Sequence, residues 1–216
     1  MNILIFLGPA GSGKGTQAQY LKEQFQFAHL STGDLLRAEV ASNSALGQKV
    51  KSVIQSGDLV SDDIIIEIIK DRVSSLIKNG DFNGIVFDGF PRTLQQAKSF
   101  DHMLTSLNLQ LNKAIYFDLT LDESIRRISG RQIDSRNNHV YHKISNPAPA
   151  DVQPHLVSRN DDEPEKVKHR YMVYQNETEP LISHYDSKLV RIDCMKSIDH
   201  IHHTFDDLVQ SFQVSV

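Results

Sequence analysis

The first strong pattern in the chain is a run of five apolar residues, Ile3-Leu4-Ile5-Phe6-Leu7. Strand-like runs recur at residues 27–30, 85–87, 114–117 and 189–192. Short apolar runs with little polar alternation suit strands buried on both faces. Between them the period changes to that of a helix: Ala18, Leu21 and Phe25 fall on one face, and a dense apolar stretch at 64–77 follows Ser61-Asp62-Asp63. Ser61-Asp62-Asp63 reads as a helix start, and Thr120-Leu121-Asp122-Glu123 as a capping box, both with structural roles. Strands that alternate with helices predict an α/β fold, a parallel sheet covered by helices on both faces. No internal repeat or low-complexity segment interrupts it.

Two stretches break the rhythm. Residues 31–60 carry short helical patterns and no strand. Residues 130–162 hold Asn137-Asn138, Pro147, Pro149 and Pro154 and read as irregular. Both are expected to be insertions into a core made of 1–30, 61–129 and 163–216, and the second is a candidate mobile cover. Parallel sheets bind ligands beyond the C-terminal ends of their strands, so segments that follow the apolar runs are expected to converge.

The segment after the first run is Gly8-Pro9-Ala10-Gly11-Ser12-Gly13-Lys14-Gly15-Thr16. Its G-x-x-x-x-G-K spacing is that of a phosphate-binding loop, in which bare amides and the positive end of the next helix receive the anion while the lysine reaches the outer phosphates. Gly11, Ser12, Gly13, Lys14, Gly15 and Thr16 are therefore candidate nucleotide contacts. Gly15 separates the lysine from the Thr16 hydroxyl, which argues against a GTPase-like switch.

Composition narrows the class. The 216 residues, 39% of them hydrophobic, suffice for one good core, and a net charge of −4 disfavours nucleic acid as a partner. A single cysteine, Cys194, excludes an internal disulfide and suits a reducing compartment, so the cytoplasm is the expected location. The N-terminal apolar run is too short for a signal sequence or membrane span, and no membrane partner is expected.

The Lys14-Gly15-Thr16 ending resembles that of nucleoside monophosphate kinases. Three further segments strengthen the likeness: Ser31-Thr32-Gly33-Asp34-Leu35-Leu36-Arg37, Asp88-Gly89-Phe90-Pro91-Arg92-Thr93-Leu94-Gln95-Gln96, and Gly130-Arg131. Together with the loop they resemble adenylate kinases of the bacterial type, in order and spacing, from Ile3 to about Lys196. The resemblance implies a P-loop NTPase core and Mg²⁺-dependent transfer of a phosphoryl group from ATP to AMP, giving two ADP, by a monomer. It implies that Asp88 holds Mg²⁺ through water. Arg37 and Arg92 would contact the AMP phosphate, with Arg127 and Arg131 on the ATP side and Arg159 and Arg170 near the transferring group. Lys14, Arg92, Arg127, Arg159 and Arg170 are thus the implied catalytic set. Val140, Tyr141 and Lys196 are implied on the ATP side, and Asp58, Leu59, Val60 and Gly89 on the AMP side. Gln96 would read the adenine edge with Thr32 beside the base. Arginines suit this chemistry, because phosphoryl transfer requires alignment and charge compensation more than covalent work by the protein.

Other readings remain open at this point. UMP/CMP kinases carry Ala where Thr32 stands, and a catalytically idle nucleotide-binding module is a rival of another class. Asp34 and Gln96 also suit capping boxes from Ser31 and Thr93. Asp161-Asp162 is either an acidic helix start before Pro164 or part of the closed site. Arg126 reads as a surface residue, and His200, His202 and His203 as positions of an amphipathic helix rather than metal ligands. Pro9 and Ala10 stand in swapped order against the usual loop, and Gln132 replaces a second arginine. The 130–162 segment is intermediate between long and short lids and contains no cysteine, so no structural zinc is expected. Hydrogen bonds among Asp134, Ser135, Tyr141 and their neighbours are expected to hold it, as one of the least stable parts of the free protein.

Overall fold

The structure is a computed structural model, and it describes residues 1–213 apart from 43, 57, 81 and 138. The chain runs β1 (Asn2–Leu7), α1 (Lys14–Phe25), β2 (Phe27–Ser31), α2 (Thr32–Ala41), α3 (Ala45–Ser56), α4 (Asp62–Asn79), β3 (Gly84–Asp88), α5 (Leu94–Ser106) and β4 (Lys113–Asp118). It continues through α6 (Leu121–Ser129), β5 (Arg131–Asp134), β6 (Val140–His142), β7 (Leu156–Val157), α7 (Pro164–Val173), α8 (Leu181–His184), β8 (Leu189–Asp193) and α9 (Ile198–Gln213).

Five strands form one sheet in the order β2-β3-β1-β4-β8, with every pairing parallel. These are the five apolar runs of the sequence. β1 lies at the centre because it is apolar on both faces. Ile3, Ile5 and Leu7 enter a core shared with Phe87, Phe90, Phe100 and the helices α4 and α5, whereas Leu4 and Phe6 enter a second core with Leu21, Phe117 and Phe205 of α9. This is the alternation of a pleated strand applied to a sheet with two covered faces. On the second face Phe6 meets Phe117 edge-on at 5.0 Å. His202 belongs to the same packing: its ring stacks on Tyr20 at 3.7 Å, and the Tyr20 hydroxyl donates to Asp206 at 2.6 Å, fastening α9 to α1.

The stretch at 130–162, expected to be irregular, instead contains an antiparallel sheet in the order β6-β5-β7. Its strands have 4, 3 and 2 residues, too few for an alternating pattern to show above the surrounding polar residues. Ile133 is its apolar centre, opposite Val140 on one side and Val157 on the other. The side-chain bonding also differs from expectation. Asp134 accepts from the backbone N–H of Arg136 at 3.0 Å and from its guanidinium at 2.7 Å. Ser135 contributes its backbone N–H to His155, and Tyr141 packs its ring on His139; among the described residues neither side chain makes a hydrogen bond. No helix among the described residues is long and apolar enough to cross a membrane.

Candidate active site

The loop after β1 enters α1 through Gly13, whose φ of 94° lies in the left-handed region. No side chain caps the helix there, so its first amides remain available to an anion. Lys14 curls back over the loop and donates to the carbonyls of Gly8 and Pro9, both at 2.8 Å, and to Ser12 Oγ at 3.3 Å. Burial pulls its pKa down to about 8; Asp88 opposes the shift, and Arg92 and Arg170 add to it. The ammonium is thus held where an incoming phosphate would relieve it.

Asp88 closes β3, in register with Phe6 of β1 and Ser31 of β2. Burial alone would raise its pKa, but His29, Lys14 and Arg92 together hold the carboxyl below its ordinary value. His29 Nε2 stands 3.6 Å from Asp88 Oδ2, outside hydrogen-bond reach. A Cβ on Gly15 would lie 3.7 Å from the same oxygen, so the ionised carboxylate sits directly against the loop. That donor chemistry fits a hydrated divalent cation beside bound phosphates.

Next to this cluster lies a cleft. Thr32 and Arg37 line it from α2, Asp58, Leu59 and Val60 from the segment before α4, Gly89 and Arg92 from the turn after β3 and Gln96 from the start of α5, while Asp161 and Arg170 close it from α7 and the turn before it. Nearly every residue expected on the AMP side is therefore brought together. Arg159 is set apart from the lining and pairs with Asp34 at 3.4 Å.

Backbone geometry holds the cleft's floor. Gly89 has a φ of 79°, and a Cβ there would fall 2.9 Å from the Thr32 hydroxyl and 3.0 Å from Arg92 Nη2. Its carbonyl accepts from both Thr32 Oγ1 and Arg92 Nε at 2.8 Å. The Arg92 carbonyl in turn accepts from Thr178 at 2.8 Å, in a wide π-helical turn (Tyr174–Thr178) that continues α7. Such turns recur at functional sites. Burial, reinforced by Arg170, lowers the Arg92 pKa to about 10.

Three helix starts differ in detail from the capping pattern. Ser31 Oγ accepts from the Asp34 N–H, but the Asp34 carboxylate turns to Arg37 and Arg159. Thr93 Oγ1 accepts from the Gln96 N–H at 3.1 Å, but the Gln96 side chain reaches the N–H of Arg92, one residue before the cap. Asp62, read from sequence as part of a structural helix start, accepts from Gln96 Nε2 at 2.7 Å and from Thr93 Oγ1 at 3.1 Å, while Ser61 makes no side-chain cap.

On the other side of the loop, Arg127 donates to Glu123 at 2.6 Å and to the Cys194 carbonyl at 2.7 Å. Glu123 also grips Arg126, the exposed surface arginine that the sequence suggested; hydrogen bonds from Arg126 and then Arg127 hold its carboxyl down at about 2. Arg131 pairs with Asp162, and Arg170 with Asp161 at 2.8 Å, which ties the acidic pair to both arginines. Val140 and Tyr141 lie in β6, and no hydrogen bond or ion pair joins them or the Lys196 side chain to the loop among the described residues. Sequence reasoning did not single out Asp62, Glu123, Thr178 or His29 for the site. The first two were visible only as helix-start acids.

Comparison with known proteins accords with this geometry. The family model described as adenylate kinase matches residues 6–190. The chain is 41% identical over 205 residues to an adenylate kinase of Thermosipho africanus, covering 92% of this chain and 94% of that protein. It is 43% identical over 192 residues to an adenylate kinase of a Hydrogenobaculum species, covering 86% and 89%. Against adenylate kinase 2 of Schistosoma mansoni the identity is 40% over 215 residues, covering 96% and 89%. With the loop, the Asp88 cluster and the cleft in one continuous arrangement, and likeness to these proteins along nearly all its length, the chain belongs to the adenylate kinase family.

Proposed function

We propose that this chain passes the terminal phosphoryl group of ATP to AMP, giving two ADP, with the 8–16 loop receiving ATP and the Thr32–Gln96 cleft receiving AMP. The observation that carries this reading is the placement of Arg92 and Arg170 in the cleft while both act electrostatically on Lys14 of the loop. One cationic cluster thereby serves two anionic substrates, as phosphoryl transfer between them requires. A module that only binds a nucleotide has no need of it.

Arg37 and Arg92 hold the AMP phosphate, and Arg159 and Arg170 offset charge on the transferring group. Arg127, Arg131, Val140, Tyr141 and Lys196 attend ATP. Asp88 would hold Mg²⁺ through water, and the ion supplies neutralisation of the outer phosphates. Residues 31–60 and 130–162 close over the nucleotides and exclude water, on a core of 1–30, 61–129 and 163–216. The acceptor is an ionised phosphate, so no side-chain base is needed. A monomer in the cytoplasm, with no nucleic-acid or membrane partner, agrees with the net charge of −4 and the single cysteine.

The test is ADP formation from ATP with AMP, UMP, CMP and GMP in parallel, and ADP disproportionation, both with Mg²⁺. Preference for AMP is expected. Preference for UMP or CMP would favour the neighbouring kinase class, and no turnover by folded protein would favour the idle module.

A further inference from the structure

We infer that Asp62 fixes the direction in which the Gln96 amide points, and thereby makes the cleft select adenine over 6-oxopurines. The inference rests on the reading that Gln96 faces the base of the monophosphate.

Gln96 is 2% exposed and lines the cleft. A free glutamine amide can turn over and offer oxygen where nitrogen was, so by itself it reads donor–acceptor and acceptor–donor edges alike. Here both ends are engaged by groups that cannot exchange roles. The Arg92 N–H can only donate, and it donates to Oε1 at 2.7 Å; a carboxylate can only accept, and Asp62 Oδ1 accepts from Nε2 at 2.7 Å. The second Asp62 oxygen is held by Thr93 Oγ1 at 3.1 Å. Turning the amide over would set Oε1 against a carboxylate and Nε2 against an N–H.

The locked amide keeps one lone pair on Oε1 and one hydrogen on Nε2 for a ligand. Adenine complements them with its N6 donor and N1 acceptor. Hypoxanthine carries the reverse, an O6 acceptor and an N1 donor, and would meet like against like at both atoms. Discrimination of this kind comes from a built-in repulsion as much as from an attraction. Asp62 is therefore a positioning residue: it touches no substrate and acts through Gln96.

The experiment measures kcat/KM for AMP and for inosine monophosphate, with ATP as donor, in the unchanged protein and in Asp62→Asn, Asp62→Ala and Gln96→Leu. Asparagine is close to aspartate in shape but can donate to Oε1, so Asp62→Asn removes one of the two barriers to the turned-over amide and leaves only the Arg92 N–H opposing it. The AMP:IMP preference is expected to fall tenfold or more in Asp62→Asn and Asp62→Ala, with KM for ATP within about twofold. If Asp62 served only the helix, melting temperature would drop and the ratio would hold, which overturns the inference. A ratio that falls in Gln96→Leu but holds in both Asp62 variants overturns it while leaving Gln96 as the base-reading residue. A ratio unmoved by Gln96→Leu overturns both.

Discussion

The monophosphate cleft and the small β5–β7 sheet are both fastened by polar contacts, but they are held in opposite ways. Three of the cleft's bonds join distant parts of the chain: Asp62 to Gln96, Thr32 to Gly89, and Thr178 to Arg92. The bonds of the β5–β7 segment are mostly local: Asp134 to Arg136, Asn137 to the His139 N–H, and His142 Nδ1 to the N–H groups of Ile144 and Ser145. The Arg131–Asp162 pair at its base is an exception. Long-range bonds can be lost only when the core opens, whereas local ones can open by themselves. The cleft is thus organised before substrate arrives, which lowers the cost of selective binding. The small sheet, proposed as a cover, is held in a way that lets it open by itself.

Removing Arg92, the proposed phosphate contact of the cleft, tests this contrast most severely. Arg92→Ala is expected to lower kcat/KM by roughly 10³-fold or more, with a cooperative melting transition retained. If the residual folded fraction were fully active, Arg92 would be structural and the contrast would fail. Gln96→Leu should act on one substrate only, raising KM for AMP by about tenfold with KM for ATP little changed, since a lost hydrogen bond costs on the order of 1 kcal/mol or more. Equal losses for both nucleotides would mean that joining the Arg92 N–H to Asp62 is the whole role of its side chain.

Protonation gives a subtler probe of the loop. Free Lys14, with its pKa lowered to about 8 chiefly by burial, is partly neutral above that pH, and a bound phosphate restores the charged form. ATP binding between about pH 8 and the ordinary lysine pKa of 10.5 should therefore take up a proton and weaken as pH rises. Calorimetry in buffers of different ionisation enthalpy reads this uptake directly; Lys14→Met should abolish it. The smallest effect is expected in the β5–β7 sheet, the proposed cover. Arg136→Ala leaves the Asp134 carboxylate, 1% exposed, without its guanidinium, so amide exchange should quicken across β5–β7 and stay unchanged in β1–β4. Exchange that quickened equally in the core would show the two regions to be one cooperative unit.

The central sheet was legible because each of its strands is an apolar run that a helix follows. The 130–162 strands were not, since Ile133 is the only buried apolar residue in all three and Val140 is 39% exposed. Cleft membership of Thr32, Gly89, Arg92 and Gln96 could be anticipated because their motifs resemble those of adenylate kinases. Asp62 and Glu123 were hidden for a physical reason: an acid in the first turn of a helix is already accounted for by the helix dipole and the cap. Only coordinates show Asp62 turning to Gln96 and Glu123 to Arg127.

The position of β1 has a consequence for synthesis of the protein. It leaves the ribosome well before the strands it pairs with, β3, which begins at Gly84, and β4, which begins at Lys113; the sheet's far edge, β8, ends at Asp193. At about 5–20 residues per second, roughly 10 to 40 s pass between the first strand and the last. Throughout the early part of that interval the nascent chain carries five contiguous apolar residues with no neighbours to cover them, a segment suited to sticking to its own kind. Slow translation or scarce chaperones would therefore be expected to reduce the yield of this protein through β1, before the loop that follows it can receive any nucleotide.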